Sequence, residues 1–290
     1  MPTYNRGSII ERAVDSVCAQ SYPHWGLIIV DDGSTDDTAA RIQAYLPDPR
    51  IHYYSEEENH GHLYARNRAW DRISARTDWI VHLDSDDELL PNALETIHAT
   101  IQKSPGFEWY HFGVRWDHGA VASLDAQEGF VGSYEGRLLQ RDPQGEWAQV
   151  LHRNIIDEGY RFREACRDHP STALWLRLAR SKPVYYSTKI VRIQNSRSVS
   201  VTRPVRKDAR FYRRRVERLR IFFSEFGSDL QRLDAAAYER KWAKYVRAVA
   251  RSSERRDALR LWWEGIQRKP LCSEHWLALV SLLGGALRAH

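Results

Sequence analysis

Two hydrophobic periods alternate along the first hundred residues. Ile9, Ile10, Ala13, Val14, Val17 and Cys18 recur at the three- and four-residue spacing of an amphipathic helix, with Ser8 placed to cap it. The segment YPHWG breaks that pattern, and residues 27–30 (LIIV) follow as an uninterrupted apolar run, the mark of a buried strand. Asp31, Asp32, Gly33 and Ser34 then turn the chain into a helix over about 36–45. Residues 51–54 (IHYY) predict a third strand, 63–75 a helix and 79–83 (WIVHL) another strand, before a helix that starts at Pro91. Repeated strand–helix–strand units predict an α/β fold with a mostly parallel, doubly wound sheet.

In such sheets ligands sit beyond the carboxyl ends of the strands. Both acidic clusters fall at those ends: Asp31 and Asp32 after the LIIV run, and Asp84, Asp86, Asp87 and Glu88 within WIVHLDSDDELLP. Crowded carboxylates repel, so a positive partner or open water belongs beside them. Asp84 and Asp86, one residue apart, can address one hard divalent cation, and Mg²⁺ typically takes one or two carboxylates and shares its other sites with substrate phosphates. A carboxylate at the place of Asp32 can accept hydrogen bonds from a base or a ribose hydroxyl, and Tyr4 offers a ring for stacking. The other reading is that these acids cap the helices that follow them.

Composition limits the alternatives. The 290 residues are 42% hydrophobic and 28% charged, a globular balance. Cys18, Cys166 and Cys272 are widely spaced, with no C-x-x-C pair, which fits a reducing, cytoplasmic compartment better than a disulfide framework or a thiolate zinc site. Charged residues near the start break any signal-peptide pattern, and 276–287, the most apolar late stretch, is too short to span a bilayer. The net charge of +5 divides unevenly: residues 1–202 hold 22 basic against 28 acidic side chains, and 203–270 hold 20 against 9. An acidic body therefore precedes a basic, helix-forming region, with Pro204 near the boundary.

The segments MPTYNR, LIIVDDGSTDDT, ARNRAW and WIVHLDSDDELLP, in that order, resemble the motifs of family-2 glycosyltransferases. The resemblance is concentrated in residues 1–100, weakens towards 200 and is absent as motif beyond. It implies the GT-A fold: a glycosyltransferase domain over 1–202, with a nucleotide-binding part over about 1–100 and an acceptor-binding part over about 101–202, then a helical extension over 203–290. By position it implies that Pro2, Thr3 and Tyr4 surround the nucleotide base and that Asp32 is the base-recognising carboxylate. Asp84 and Asp86 match the D-x-D that holds Mg²⁺ or Mn²⁺ against the donor diphosphate. Arg66 lies where a cation can face the donor, although an exposed helix arginine is an equal reading.

The resemblance also implies a carboxylate base ahead of a Trp-containing helix. REACRDHPSTALWLRLA departs from the common pattern there, with Arg167-Asp168 in place of an acidic pair. Asp168 is the candidate base, with Glu164 and His169 as runners-up. Where many relatives carry a histidine near the metal, this chain has Gln194. The apolar strand that usually precedes PTYN is missing, so an upstream start is expected, its strand lying between those of 27–30 and 79–83. The expected activity is inverting transfer from a nucleotide-sugar, a UDP-sugar by family habit, to a glycan or lipid-linked acceptor. A non-catalytic nucleotide- or glycan-binding scaffold of the same fold is the alternative; nucleotidyl transfer lacks its Gly-rich, Lys-containing opening. For the arginine-rich stretch after 203 the first reading is a helix docked on the acidic body. Peripheral contact with the inner face of the membrane through 203–270 is the second. Nucleic acid is not expected, because no binding motif accompanies the charge.

Overall fold

The computed structural model describes residues 1–123, 126–164, 172–196, 209–252 and 254–284. They form two compact units, the first from the described residues within 1–167 and 174–199, the second from those within 168–173 and 200–290.

The first unit begins as the periodicity predicts. Strand β1 (Pro2–Thr3), helix α1 (Ile10–Cys18), β2 (Leu27–Asp31), α2 (Thr38–Gln43), β3 (Ile51–Ser55) and α3 (His62–Trp70) alternate. The strands form a parallel sheet in the order β1-β2-β3, with Pro2 opposite Val30 and Leu27 opposite Ile51. α1 buries Ile10, Ala13, Val14 and Val17, one stripe at helical spacing. Ser8 does not cap it: Ile9 precedes the helix, and no side chain caps that end. α3 stops at Trp70, short of the expected 75, because Arg72 and Ile73 tighten into three-residue turns on Ala69 and Trp70.

The next strand departs from expectation. β4 (Trp79–Val81) joins a second, mixed sheet with β5 (Glu88–Leu89), β6 (Trp109–Trp116), β7 (Phe130–Gly132), β8 (Ala148–His152) and β9 (Val184–Gln194). The order is β4-β8-β6-β9-β5, with β7 also paired to β9, and β4 runs antiparallel to β8. Among the described residues β1 pairs with β2 alone, so no strand bridges β2 to β4. Helices α4 (Ala93–Lys103), α5 (Tyr134–Leu138), α6 (Asn154–Asp157) and α7 (Thr172–Ala179) from its residue Leu174 on complete the unit. One core packs α1 and α4 with β2, β6 and β9; another gathers Trp70, Trp109, Trp147, Phe162 and Trp175.

The second unit contains α8 (Ala209–Leu233), α9 (Ala235–Arg251), α10 (Arg255–Arg268) and α11 (Ser273–Gly284). α8 turns its apolar side to α9: the Phe223 ring lies against Tyr238, Trp242 and Tyr245, while Arg213, Arg214 and Arg220 stay exposed. Asp234 caps α9 by accepting the Ala237 N–H. Glu239 of α9 accepts from His275 Nε2 at 2.9 Å and from Arg268, and Gly265 leaves room for that imidazole, 2.8 Å from where a β-carbon would stand. No helix among the described residues is long and apolar enough to cross a membrane.

Candidate functional site

The end of β2 carries two buried carboxylates with different partners. Asp31 accepts the Ser34 N–H at 2.8 Å and the Tyr53 hydroxyl at 2.7 Å. Burial, reinforced by that carboxylate, pushes the Tyr53 phenol well above its usual range. Asp32 accepts backbone N–H groups from His60 at 2.9 Å and Gly61 at 2.6 Å, holding the loop that enters α3. Gly33 makes the approach possible: its φ is +75°, and a β-carbon there would stand 2.7 Å from the Glu58 carbonyl carbon.

The loop after β1 is fastened to the loop after β2. Asn5, at φ +50°, accepts the Thr35 N–H through its side-chain carbonyl at 2.8 Å, while its own N–H reaches Ser34 Oγ at 2.8 Å. The Gly7 N–H donates to Asp36 Oδ2 at 3.0 Å. Pro2 and Thr3 lie in β1, where the Thr3 carbonyl accepts the Asp32 N–H at 2.9 Å, and Tyr4 follows, 43% exposed.

The acids after β4 meet the positive charge their crowding requires. Arg66 of α3 donates to Asp84 Oδ1 at 2.5 Å, and Arg6 lies 3.6 Å from Asp86. Arg12 pairs with Glu88 at 2.7 Å and donates to the Asp86 carbonyl. Asp87 turns inward instead, 3.4 Å from Arg192 of β9, with both side chains almost fully buried. Burial pushes the Asp87 carboxyl up to about 7, Arg192 opposes that, and the neighbouring Asp84 and Asp86 add to it. Asp84 goes the other way: burial raises it, but Arg66 and Arg192 together hold it well below the usual carboxylate range. His82 is kept neutral by burial and then by Arg66, and its Nε2 accepts the Trp70 indole N–H at 3.1 Å.

One polar residue that the motif reading passed over ties the site together. Asn67, 3% exposed, receives the Phe162 N–H at 3.0 Å and donates to the Phe162 carbonyl at 2.9 Å and to Glu164 at 2.7 Å. Adjacent residues of α3 thus fix the acidic turn (Arg66) and the chain leading towards 165 (Asn67). Asn67→Leu keeps the size but strands two buried backbone groups, and is expected to lower the free energy of unfolding by about 2–4 kcal/mol. Urea denaturation of the two proteins measures it; an unchanged midpoint would remove the clamp from the account.

The sequence model described as glycosyl transferase family 2 matches residues 1–162. The chain belongs to glycosyltransferase family 2. Within the family it is 29% identical over 272 residues to the GalNAc(5)-diNAcBac-PP-undecaprenol β-1,3-glucosyltransferase of Campylobacter jejuni, covering 87% of this chain and 82% of that one. It is 47% identical over 95 residues to the teichuronic acid biosynthesis glycosyltransferase TuaG of Bacillus subtilis, a match spanning 32% of this chain and 37% of that protein. The crystal structure of S. aureus TarS 1-349 in complex with UDP is similar at a TM-score of 0.58, with 18% identity, over 86% of this chain and 79% of that one. At that identity the likeness speaks for the fold, which is GT-A with a helical C-terminal part.

For a family-2 glycosyltransferase the residues of the acidic turn suit a divalent cation in number and hardness. Asp84 and Asp86 are two carboxylates in the turn after β4, as many as Mg²⁺ commonly takes from protein when phosphates supply the rest. No group of three or more His, Cys, Asp or Glu side chains arranged for a metal occurs among the described residues. Gln194 ends β9, and its buried Oε1 has no hydrogen-bond partner among the described residues. Asp168 and His169 lie outside the described residues; of the three base candidates Glu164 is described, bonded to Asn67 and 3.8 Å from Arg68. Arg6 and Arg192 were not singled out in the sequence, and only Arg6, beside PTYN, carried a signal that could have found it.

Proposed function

We propose that the chain moves a sugar from a nucleotide-sugar, a UDP-sugar, to a hydroxyl of a glycan or lipid-linked acceptor, with inversion at the anomeric carbon and with Mg²⁺ or Mn²⁺. The observation that carries this reading is the acidic turn after β4, where Asp84 and Asp86 face guanidinium groups of Arg66 and Arg6. Two carboxylates beside two arginines suit a ligand that brings both phosphate and metal. The names of related proteins support the two substrates: one is a transferase acting on an undecaprenol-diphosphate-linked glycan, and TarS was crystallised with UDP.

Asp84 and Asp86 would hold the ion, which supplies positive charge beside the diphosphate when bound. Pro2, Thr3, Tyr4 and Asp32 frame the nucleoside, Asp32 accepting from the base or ribose. Arg66 adds a fixed positive charge where negative charge grows on the departing diphosphate. Asp168 takes the proton of the acceptor hydroxyl as that oxygen bonds to the anomeric carbon, opposite the leaving group. Residues 1–100 serve the nucleotide, 101–202 the acceptor, and 203–290 form a helical extension. The enzyme works on the cytoplasmic side, in peripheral contact with the inner face of the membrane.

The arginines already seated on both carboxylates favour a second reading, a nucleotide- or glycan-binding scaffold. A screen of nucleotide-sugars that measures released nucleoside diphosphate separates the two. Turnover of a UDP-sugar that excess chelator abolishes and added Mn²⁺ or Mg²⁺ restores is the expected result. UDP binding without turnover of any donor, in the presence of glycan acceptors, would give the scaffold.

A further inference from the structure

The second unit carries an apolar surface that its own packing leaves open. On α10, Leu259 and Trp263 stand one turn apart and face water; on α11, Trp276, Leu277 and Val280 do the same. Leu271, in the turn between the helices, is 96% exposed. The half-buried Trp262 ring lies 6.2 Å from that of Trp263 and 6.0 Å from that of Trp276, linking the tryptophans of the two helices. Large apolar side chains gathered in this way mark an interaction surface.

Its charge says what it meets. Arg256 and Arg260 are exposed and share the side of α10 that carries Leu259 and Trp263. Arg260 has Asp257 3.6 Å away, an exposed pair of little strength. Tryptophan and leucine beside arginine make an interfacial helix face: indole rings settle at headgroup level, aliphatic chains enter the acyl boundary, and guanidinium groups meet phosphates. We propose that the α10–α11 face docks on an anionic lipid bilayer. α8, whose apolar side is spent on α9, presents arginines but no comparable apolar face. The docking deepens the membrane contact of the proposed function, and its purpose rests on the lipid-linked acceptor reading.

The full chain is floated with vesicles of phosphatidylcholine alone and of phosphatidylcholine mixed with phosphatidylglycerol. Binding to the anionic vesicles with a blue shift of tryptophan emission is expected, at least tenfold weaker on phosphatidylcholine alone. The double variants Leu259→Ser with Trp263→Ser, and Arg256→Gln with Arg260→Gln, should each bind at least tenfold more weakly while unfolding at the same urea concentration. Their transfer to a water-soluble acceptor should equal that of the parent, so failure of docking and failure of the glycosyltransfer reading are told apart. Undiminished binding by both variants, or no binding by the parent, would overturn the proposal. A parent dimer that Trp263→Ser turns into a monomer, without vesicle binding, would assign the face to a second copy instead.

Discussion

Asp86→Asn is expected to lower sugar transfer by about a hundredfold or more while leaving the fold intact. Asparagine has nearly the shape of aspartate but no charge and one oxygen acceptor fewer, so it tests the carboxylate with little change in volume. The structural stake is small: Asp86 meets Arg6 at 3.6 Å with both side chains about one-fifth exposed. At 3.6 Å this is a contact longer than a hydrogen bond, contributing about 1 kcal/mol. A hundredfold loss corresponds to about 2.7 kcal/mol of transition-state stabilisation, more than that contact can supply structurally. Asp84→Asn should also lose transfer but is a poorer probe, because it leaves the largely buried Arg66 guanidinium without its carboxylate and so threatens stability as well. Steady-state transfer and urea unfolding, measured on the same Asp86→Asn preparation, decide the matter. Full activity in that variant would remove the acidic turn from the donor site.

Asp168→Asn is expected to reduce transfer by about 10²–10⁴-fold, the usual worth of a positioned general base, with UDP affinity nearly unchanged. Glu164 is the competitor, and its surroundings argue for a different task. Its Oε1 accepts the Asn67 amide at 2.7 Å and lies 3.8 Å from Arg68, contacts that tether the chain to α3. Glu164→Gln should therefore keep most of the transfer rate and cost stability. Comparing kcat and UDP affinity for the two variants separates the roles. A catalytic defect confined to Glu164→Gln would move the base to that residue, and equal loss of nucleotide binding in Asp168→Asn would make Asp168 structural.

The elements of the first hundred residues were legible because burial imposes a period on the sequence. The stripe Ile10, Ala13, Val14 and Val17 could only be a helix face, and LIIV only a buried strand. The order of the acid-bearing segments was equally legible, and with it the family. Helix ends were less so: Ser8 and the stretch 71–75 depend on which backbone groups find partners, a matter of a few tenths to about 1 kcal/mol that composition does not record.

Tertiary structure decided the pairings. Which sheet β4 joins depends on the residues that lie opposite it, and β8, some seventy residues later, supplies them. Neither the Arg66–Asp84 pair nor the burial of Asp87 against Arg192 of β9 is written in local spacing, because charges meet through space. Asn67 looked like one polar residue of a helix until Phe162 folded onto it. The arginine-rich α8 and the tryptophan-bearing α10 have similar amphipathic character in sequence. Packing against α9 covers the apolar side of the first and leaves much of the second open to water. Periodicity along a chain determines which faces must be buried, whereas the partner that buries each face, or its absence, is settled only when distant segments compete for the same surface.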